Sequence, residues 1–223
     1  MLINLKKLSA ILVGMVCFAF LWAGGGPRKV VLISAIPEEA APSIEVLQDK
    51  GFDVEYVCIG VGPLNATVNR PVLSQKVVGE YAIYIGTAGT FAPRFDQPYL
   101  VTTALKTYWM PTGERCPTQR LCPPKDTQYK IGPLTSDLEK LFIISSPGPS
   151  LIAEISQAVP LPPAQNLVEN MKFYTIADIL NFAPTCDVLI GFTNEGSPDG
   201  HTQWLENRKR AAEMTAEHIR ELL

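Results

Sequence analysis

The chain has 223 residues, 47% of them apolar and 18% charged, enough to bury a sizeable core and with no long polar tract that would point to disorder. Its net charge of −3, with Lys and Arg scattered, excludes a basic nucleic-acid footprint. The one cluster, Arg208-Lys209-Arg210, reads as the solvated face of a helix.

The first 26 residues differ from the rest. Lys6 and Lys7 precede an uncharged apolar run, Leu8 to Ala23, which ends in Gly24-Gly25-Gly26-Pro27. A basic start, an apolar middle and small residues at the end read as an export signal, with Ala23 and Gly25 fitting cleavage before Gly26. A retained membrane anchor is the alternative, although the run is short against the roughly 20 residues of a bilayer span. A buried N-terminal helix would need a polar face that the run lacks. Cys17 lies inside the run, and the residues before it do not resemble a lipoprotein acylation site. The protein is therefore expected outside the cytosol, periplasmic or extracellular, or held at the membrane through residues 8–26. Residues 27–223 form the remaining domain.

From Lys29 to Ser34 an apolar, β-branched run predicts a buried strand. Pro37-Glu38-Glu39 then suits the first turn of a helix that reaches Lys50 and stops at Gly51. A second strand is expected from Val54 to Ile59, ending in Gly60-Val61-Gly62-Pro63 before another helix. A third, Tyr81 to Ile85, runs into Gly86-Thr87-Ala88-Gly89-Thr90. Further strands are expected at Tyr99–Ala104, Leu141–Ser145 and Val188–Thr193, and helices near 151–158, 166–181 and 201–223. This alternation predicts an α/β domain with a parallel or mixed sheet. Ligands of such sheets bind beyond the carboxyl ends of the strands, where glycines let backbone N–H groups approach. Taken singly, each glycine reads as turn chemistry.

The stretch from 108 to 133 carries five prolines together with Cys116 and Cys122, and reads as an irregular insertion at the crevice rim. In an oxidising compartment those two cysteines are candidates for a disulfide that ties it. Their spacing and the two histidines do not make a zinc site, so neither metal nor cofactor is expected. Cys58 and Cys186, beside apolar runs, read as core thiols.

Ser34-Ala35-Ile36-Pro37-Glu38-Glu39, Gly60-Val61-Gly62-Pro63-Leu64-Asn65-Ala66, Gly86-Thr87-Ala88-Gly89-Thr90 and Asn170-Met171-Lys172, with Gly191-Phe192-Thr193-Asn194 after them, follow one another in a recognisable order. In this order the chain resembles the purine nucleoside phosphorylase and uridine phosphorylase superfamily, nearest to methylthioadenosine/S-adenosylhomocysteine nucleosidases, from Lys29 to Leu223. The resemblance implies a single α/β domain with a central twisted mixed sheet, partly closed and flanked by helices. It implies cleavage of the N-glycosidic bond of a nucleoside, a small-molecule partner, and assembly as a homodimer.

Carried over by position, Glu39 falls where the nucleosidases hold a water-activating glutamate. Thr87, Ala88 and Gly89 fall in the segment that lines the nucleoside pocket, and Met171 where a methionine packs on the ribose. Outside the resemblance, Glu39 reads as a helix-start acid and Met171 as a core side chain. The sequence departs from the pattern in three places. Lys172 stands where a glutamate accepts the ribose hydroxyls, and an ammonium has donors only. Asn194 replaces the aspartate that protonates the leaving purine. It donates a hydrogen bond without delivering a proton, as some 6-oxopurine phosphorylases do, and Glu195 is its neighbour. Ser146-Pro147-Gly148-Pro149 replaces an aromatic base-stacking segment, leaving Tyr108, Trp109 and Phe173 as candidates.

Glu169 is a candidate acceptor three residues before Lys172 on the expected helix. No arginine lies near Gly62, where many phosphorylases hold a phosphate-binding one, and Arg94 is the candidate for a phosphate contact, so water is the expected nucleophile. The resulting expectation is an exported nucleosidase acting on a purine nucleoside or a related thionucleoside. The alternatives are a catalytically degenerate relative that binds a nucleoside or a protein, and a phosphorylase. In the last helix Trp204 is expected to pack and His201 to face solvent, with Ala211, Ala212, Thr215 and Ile219 towards the core.

Overall fold

A computed structural model describes residues 28–91, 101–109, 125–126, 130–135, 137–145, 167–195 and 198–223, with backbone alone at 101–109 and 125–126. Strand β1 (Arg28–Ser34) is apolar on both faces and buried from Val30 onward, as a parallel strand between helix layers must be. It pairs in parallel with the edge strand β2 (Phe52–Cys58) on one side and with β3 (Tyr81–Thr90) on the other. Helix α1 (Pro37–Asp49) starts on proline with Glu38 and Glu39 in its first turn, and Gly51 follows its end at φ +80°. Helix α2 (Gly62–Val77) returns the chain from β2 to β3.

The rest of the sheet comprises β4 (Val101–Trp109), β5 (Lys125–Asp126), β6 (Lys140–Ser145), β7 (Leu167–Glu169) and β8 (Thr185–Glu195). β8 pairs in parallel with β3 and antiparallel with β4; β4 pairs with β6, β6 with β7, and β7 returns antiparallel to β3. That circuit closes part of the sheet on itself, leaving β1 and β2 as an open flap. The mixed sheet and flanking helices realise the expected α/β architecture.

Side chains alternate between two apolar layers, as strand periodicity requires. Val31, Ile33, Tyr84, Val188 and Ile190 pack with α2 and with α3 (Phe173–Leu180). Val30, Leu32, Ile83, Ile85 and Leu189 pack with α1 and α4 (Gly200–Leu222). Ala211, Ala212, Thr215 and Ile219 are buried on α4 as expected.

Several boundaries differ from the sequence reading. β3 continues through the Gly-Thr-Ala-Gly-Thr segment because that stretch is paired with β8 along its length. Residues 167–169 are strand, not helix, and α3 opens only at Phe173. β4 reaches Trp109, and β8 begins at Thr185. Cys186 is buried, whereas Cys58 is exposed, contrary to the core reading, since it ends an edge strand. The leader, Arg94, the cysteines 116 and 122, the Ser146–Pro149 segment and the helix expected at 151–158 lie outside the described residues, and so does most of the 108–133 insertion.

At the opposite end of β8 from the crevice, Asp187 is fully buried. The Tyr81 hydroxyl and the Leu134 N–H donate to Oδ2, while the N–H and hydroxyl of Thr135 donate to Oδ1 at 3.0 and 2.6 Å. Burial raises its carboxyl above the ordinary aspartate value against the pull of those donors, and holds the Tyr81 phenol protonated.

Candidate active site

The carboxyl ends of β1, β3 and β8, together with the end of β7, surround a cavity of about 160 Å³. Its wall includes Glu39, Thr87, Glu169, Met171, Lys172 and Asn194. Glu39 reaches it because β1 stops at Ser34 and the first turn of α1 swings the side chain back over the strand end. The glutamate is only 2% exposed. Its Oε2 receives the Ala35 N–H at 3.3 Å and its Oε1 the Thr87 hydroxyl at 2.8 Å. Thr87 in turn accepts the Trp204 indole N–H at 3.1 Å, so the donors run from α4 through β3 to the carboxylate. A buried chain of this kind polarises along its length and fixes the carboxylate.

Lys172 closes the opposite side. It is buried, and its Nζ lies 3.9 Å from Glu39 Oε1, an ion-pair contact too long for a hydrogen bond. The turn that presents it is fixed by Asn170, which is 2% exposed. The Asn170 amide donates to the Thr87 carbonyl at 2.9 Å, and its Oδ1 accepts the N–H groups of Lys172 and Phe173 at 3.3 and 3.0 Å. The Tyr84 hydroxyl also donates to that oxygen. Burial and the charge of Glu39 hold the Tyr84 phenol protonated.

Asn194 arrives by an irregularity of the sheet. Along β3 and β8 the pairing runs Ala88 with Phe192 and then Gly89 with Asn194, so Thr193 is an extra residue. Such a bulge re-aims the side chains beyond it, and here it brings Asn194 to the cavity beside Gly89. A Cβ on Gly89 would lie 2.7 Å from the Asn194 amide nitrogen, so the close approach requires glycine. The Asn194 amide donates to the Glu195 carbonyl at 3.1 Å and accepts the Thr193 hydroxyl at 2.9 Å. That leaves one amide proton directed elsewhere.

No protein-family model matches the chain, and no curated protein matches it in sequence. Solved structures do. A Helicobacter pylori 5′-methylthioadenosine/S-adenosylhomocysteine nucleosidase in complex with a pyrrolidine inhibitor superposes with TM-score 0.63 at 14% identity, over 88% of this chain and 98% of that one. The Neisseria meningitidis nucleosidase bound to methylthio-immucillin-A gives 0.61 at 17%, over 87% and 100%. The futalosine hydrolase of H. pylori gives 0.63 at 13%, over 87% and 97%. The chain carries the nucleoside phosphorylase-like fold.

Within this nucleoside phosphorylase-like fold, Glu39, Thr87, Ala88, Gly89, Met171, Lys172 and Asn194 all line one cavity. Glu169 lines it too, from strand β7 rather than from a helix, and Glu195 stands at its edge. Phe173, a candidate for base stacking, is fully buried against Tyr84 instead, their ring centroids 5.3 Å apart. Trp204 does more than pack, since it lines the cavity and hydrogen-bonds Thr87. His201 is exposed as expected, yet it also lines the mouth and stacks on Trp204 at 5.7 Å. The Asn170 clamp had one legible signal, an asparagine just before a helix start. Among the described residues no group of His, Cys, Asp and Glu side chains is arranged to hold a metal ion.

Proposed function

We propose that the cavity hydrolyses the N-glycosidic bond of a purine nucleoside or related thionucleoside. The observation that carries this reading is the buried carboxylate of Glu39, held by Thr87 and Ala35 at the floor of the cavity that Asn194 also lines. The fold neighbours that are nucleosidases support it. Glu39 would take a proton from water as the oxygen attacks the anomeric carbon. The carbon–nitrogen bond would break with its electron pair leaving on the base, and the spare amide proton of Asn194 would hydrogen-bond that developing charge. Since an amide delivers no proton, the base would be protonated by solvent, which favours a 6-oxopurine over adenine. The carboxylates of Glu39 and Glu169 would offset positive charge on the sugar, with Met171 and Thr87 against it.

The test is incubation with adenosine, inosine, methylthioadenosine and S-adenosylhomocysteine, with and without phosphate, following free base by chromatography. Release without phosphate is expected, and release only with phosphate would make the protein a phosphorylase. The Lys172 ammonium favours a second reading, a nucleoside-binding or protein-interaction module, because it partly neutralises the base and opposes cationic charge on a sugar. Nucleoside binding with no release would select that reading.

Residues 1–26 would direct the protein out of the cytosol, with the leader cleaved or retained as an anchor. Cell fractionation with N-terminal sequencing of the product decides between these. A second copy would cover the apolar strip exposed at Val61 and, on α2, at Leu64, Val68 and Val72, which light scattering would register as a dimer mass.

A further inference from the structure

The bulge at Thr193 leaves the Asn194 amide little choice of partners. Its Oδ1 accepts the Thr193 hydroxyl at 2.9 Å and one amide proton goes to the Glu195 carbonyl at 3.1 Å, so a single N–H is left for a ligand. A neutral base that departs with the bonding electron pair becomes an anion, and this N–H hydrogen-bonds it without neutralising it. The described cavity groups that carry a transferable proton are engaged elsewhere. Lys172 faces Glu39 at 3.9 Å, and His201 stacks on Trp204 at the mouth. The side chain next to Asn194 carries the opposite charge to a proton donor. Glu195 lines the same cavity and is half-buried. Its main chain makes its hydrogen bonds, the carbonyl accepting the Asn194 amide and the N–H donating to the Gln203 side chain at 2.9 Å. No cation among the described residues pairs with its carboxylate.

We propose that this site prefers nucleosides whose base already carries a positive charge, such as a 7-alkylated 6-oxopurine, with Glu195 as the counter-ion of the charged ring. The proposal rests on the hydrolytic reading given above and names its substrate class. The step then balances without a proton donor. The water oxygen bonds the anomeric carbon as Glu39 takes the water's proton. The carbon–nitrogen bond breaks, and its electron pair neutralises the ring, so the base leaves uncharged. The spare Asn194 N–H is needed only to hold the exocyclic oxygen of the ring. The pull of Glu195 is strongest before the charge passes to the sugar, so it acts on substrate binding more than on bond cleavage.

The test compares 7-methylguanosine with guanosine on the full chain, in mildly acidic buffer that keeps the methylated ring cationic, following free base by chromatography. Uncatalysed release in the same buffer supplies the intrinsic lability of each bond. The parent's ratio of kcat/KM for the two compounds should exceed the uncatalysed ratio by at least about tenfold, in favour of 7-methylguanosine. Glu195→Gln keeps the shape and removes the charge. It should raise KM for 7-methylguanosine relative to KM for guanosine by about tenfold, with a smaller change in the ratio of kcat values. A parent ratio no larger than the uncatalysed one would overturn the proposal, since the bond's own lability would then explain it. So would a Glu195→Gln variant that moves both KM values equally. Should that variant fail to fold, the parent ratio still decides. Release from guanosine but not from 7-methylguanosine counts against this proposal alone, whereas a folded protein that releases neither base would overturn the hydrolytic reading itself.

Discussion

Glu39 takes hydrogen bonds from the backbone of its own segment and from β3, and an ion-pair contact from the turn before α3. Replacing it by glutamine keeps the shape but puts an amide where the proposed reaction needs a base. Glu39→Gln is therefore expected to lower kcat by about 10²- to 10⁴-fold while KM changes much less, as steady-state base release would show. In the proposed reaction Asn194 would act on charge that appears only as the base leaves. Asn194→Ala is expected to lower kcat by about 10²-fold, again with a smaller change in KM. Both residues were legible in the sequence through the order of motifs around them. The partners that fix them were not, because the Trp204 bond to Thr87 joins residues 117 positions apart and exists only once α4 lies over β3.

At the scale of elements, the bulge at Thr193 and the glycine opposite work together. A methyl group on Gly89 would push against the end of a flexible amide and not against backbone. Gly89→Ala should thus displace Asn194 and lower kcat/KM by about tenfold or more, with a melting temperature only a few degrees below the parent's. The Gly86–Thr90 stretch looks like a turn by composition, and pairing with β8 makes it strand, which is tertiary context overriding propensity. The reverse happens before α3. The apolar pattern of 166–181 suggests one helix, but the pairing of β7 with β3 and the bond from the Asn170 N–H to the Ile144 carbonyl at 2.9 Å delay it to Phe173.

The far end of β8 offers a test independent of the cavity. Among the described residues the groups that hydrogen-bond the Asp187 carboxylate are donors, and an amide nitrogen in its place would face them without an acceptor. Asp187→Asn should be less stable by about 1–3 kcal/mol in urea unfolding. Because the folded carboxyl titrates above its unfolded value, the folded state binds more protons in that window. The stability of the parent therefore falls as pH rises from about 4 through the folded value, and the variant, lacking the group, should fall less steeply.

On the scale of the whole molecule, β1, β8 and α4 were readable because they are buried in regular periods, on both faces of a strand or along one side of a helix. The closure of the sheet through β8, β4, β6 and β7 was not readable from periodicity and entered only as what the resemblance implied, since pairing between distant strands leaves no local pattern. That closure gathers the ends of β3, β7 and β8 into one cavity, and the flap of β1 brings Glu39 over it. The proposed function makes this cavity a hydrolytic site worked by Glu39. Its most direct test is release of free base from inosine and methylthioadenosine in phosphate-free buffer, parent protein beside Glu39→Gln. Release by the parent and near-complete loss in the variant are expected. Equal release by both proteins, or none from a folded parent that binds the nucleoside, would contradict it.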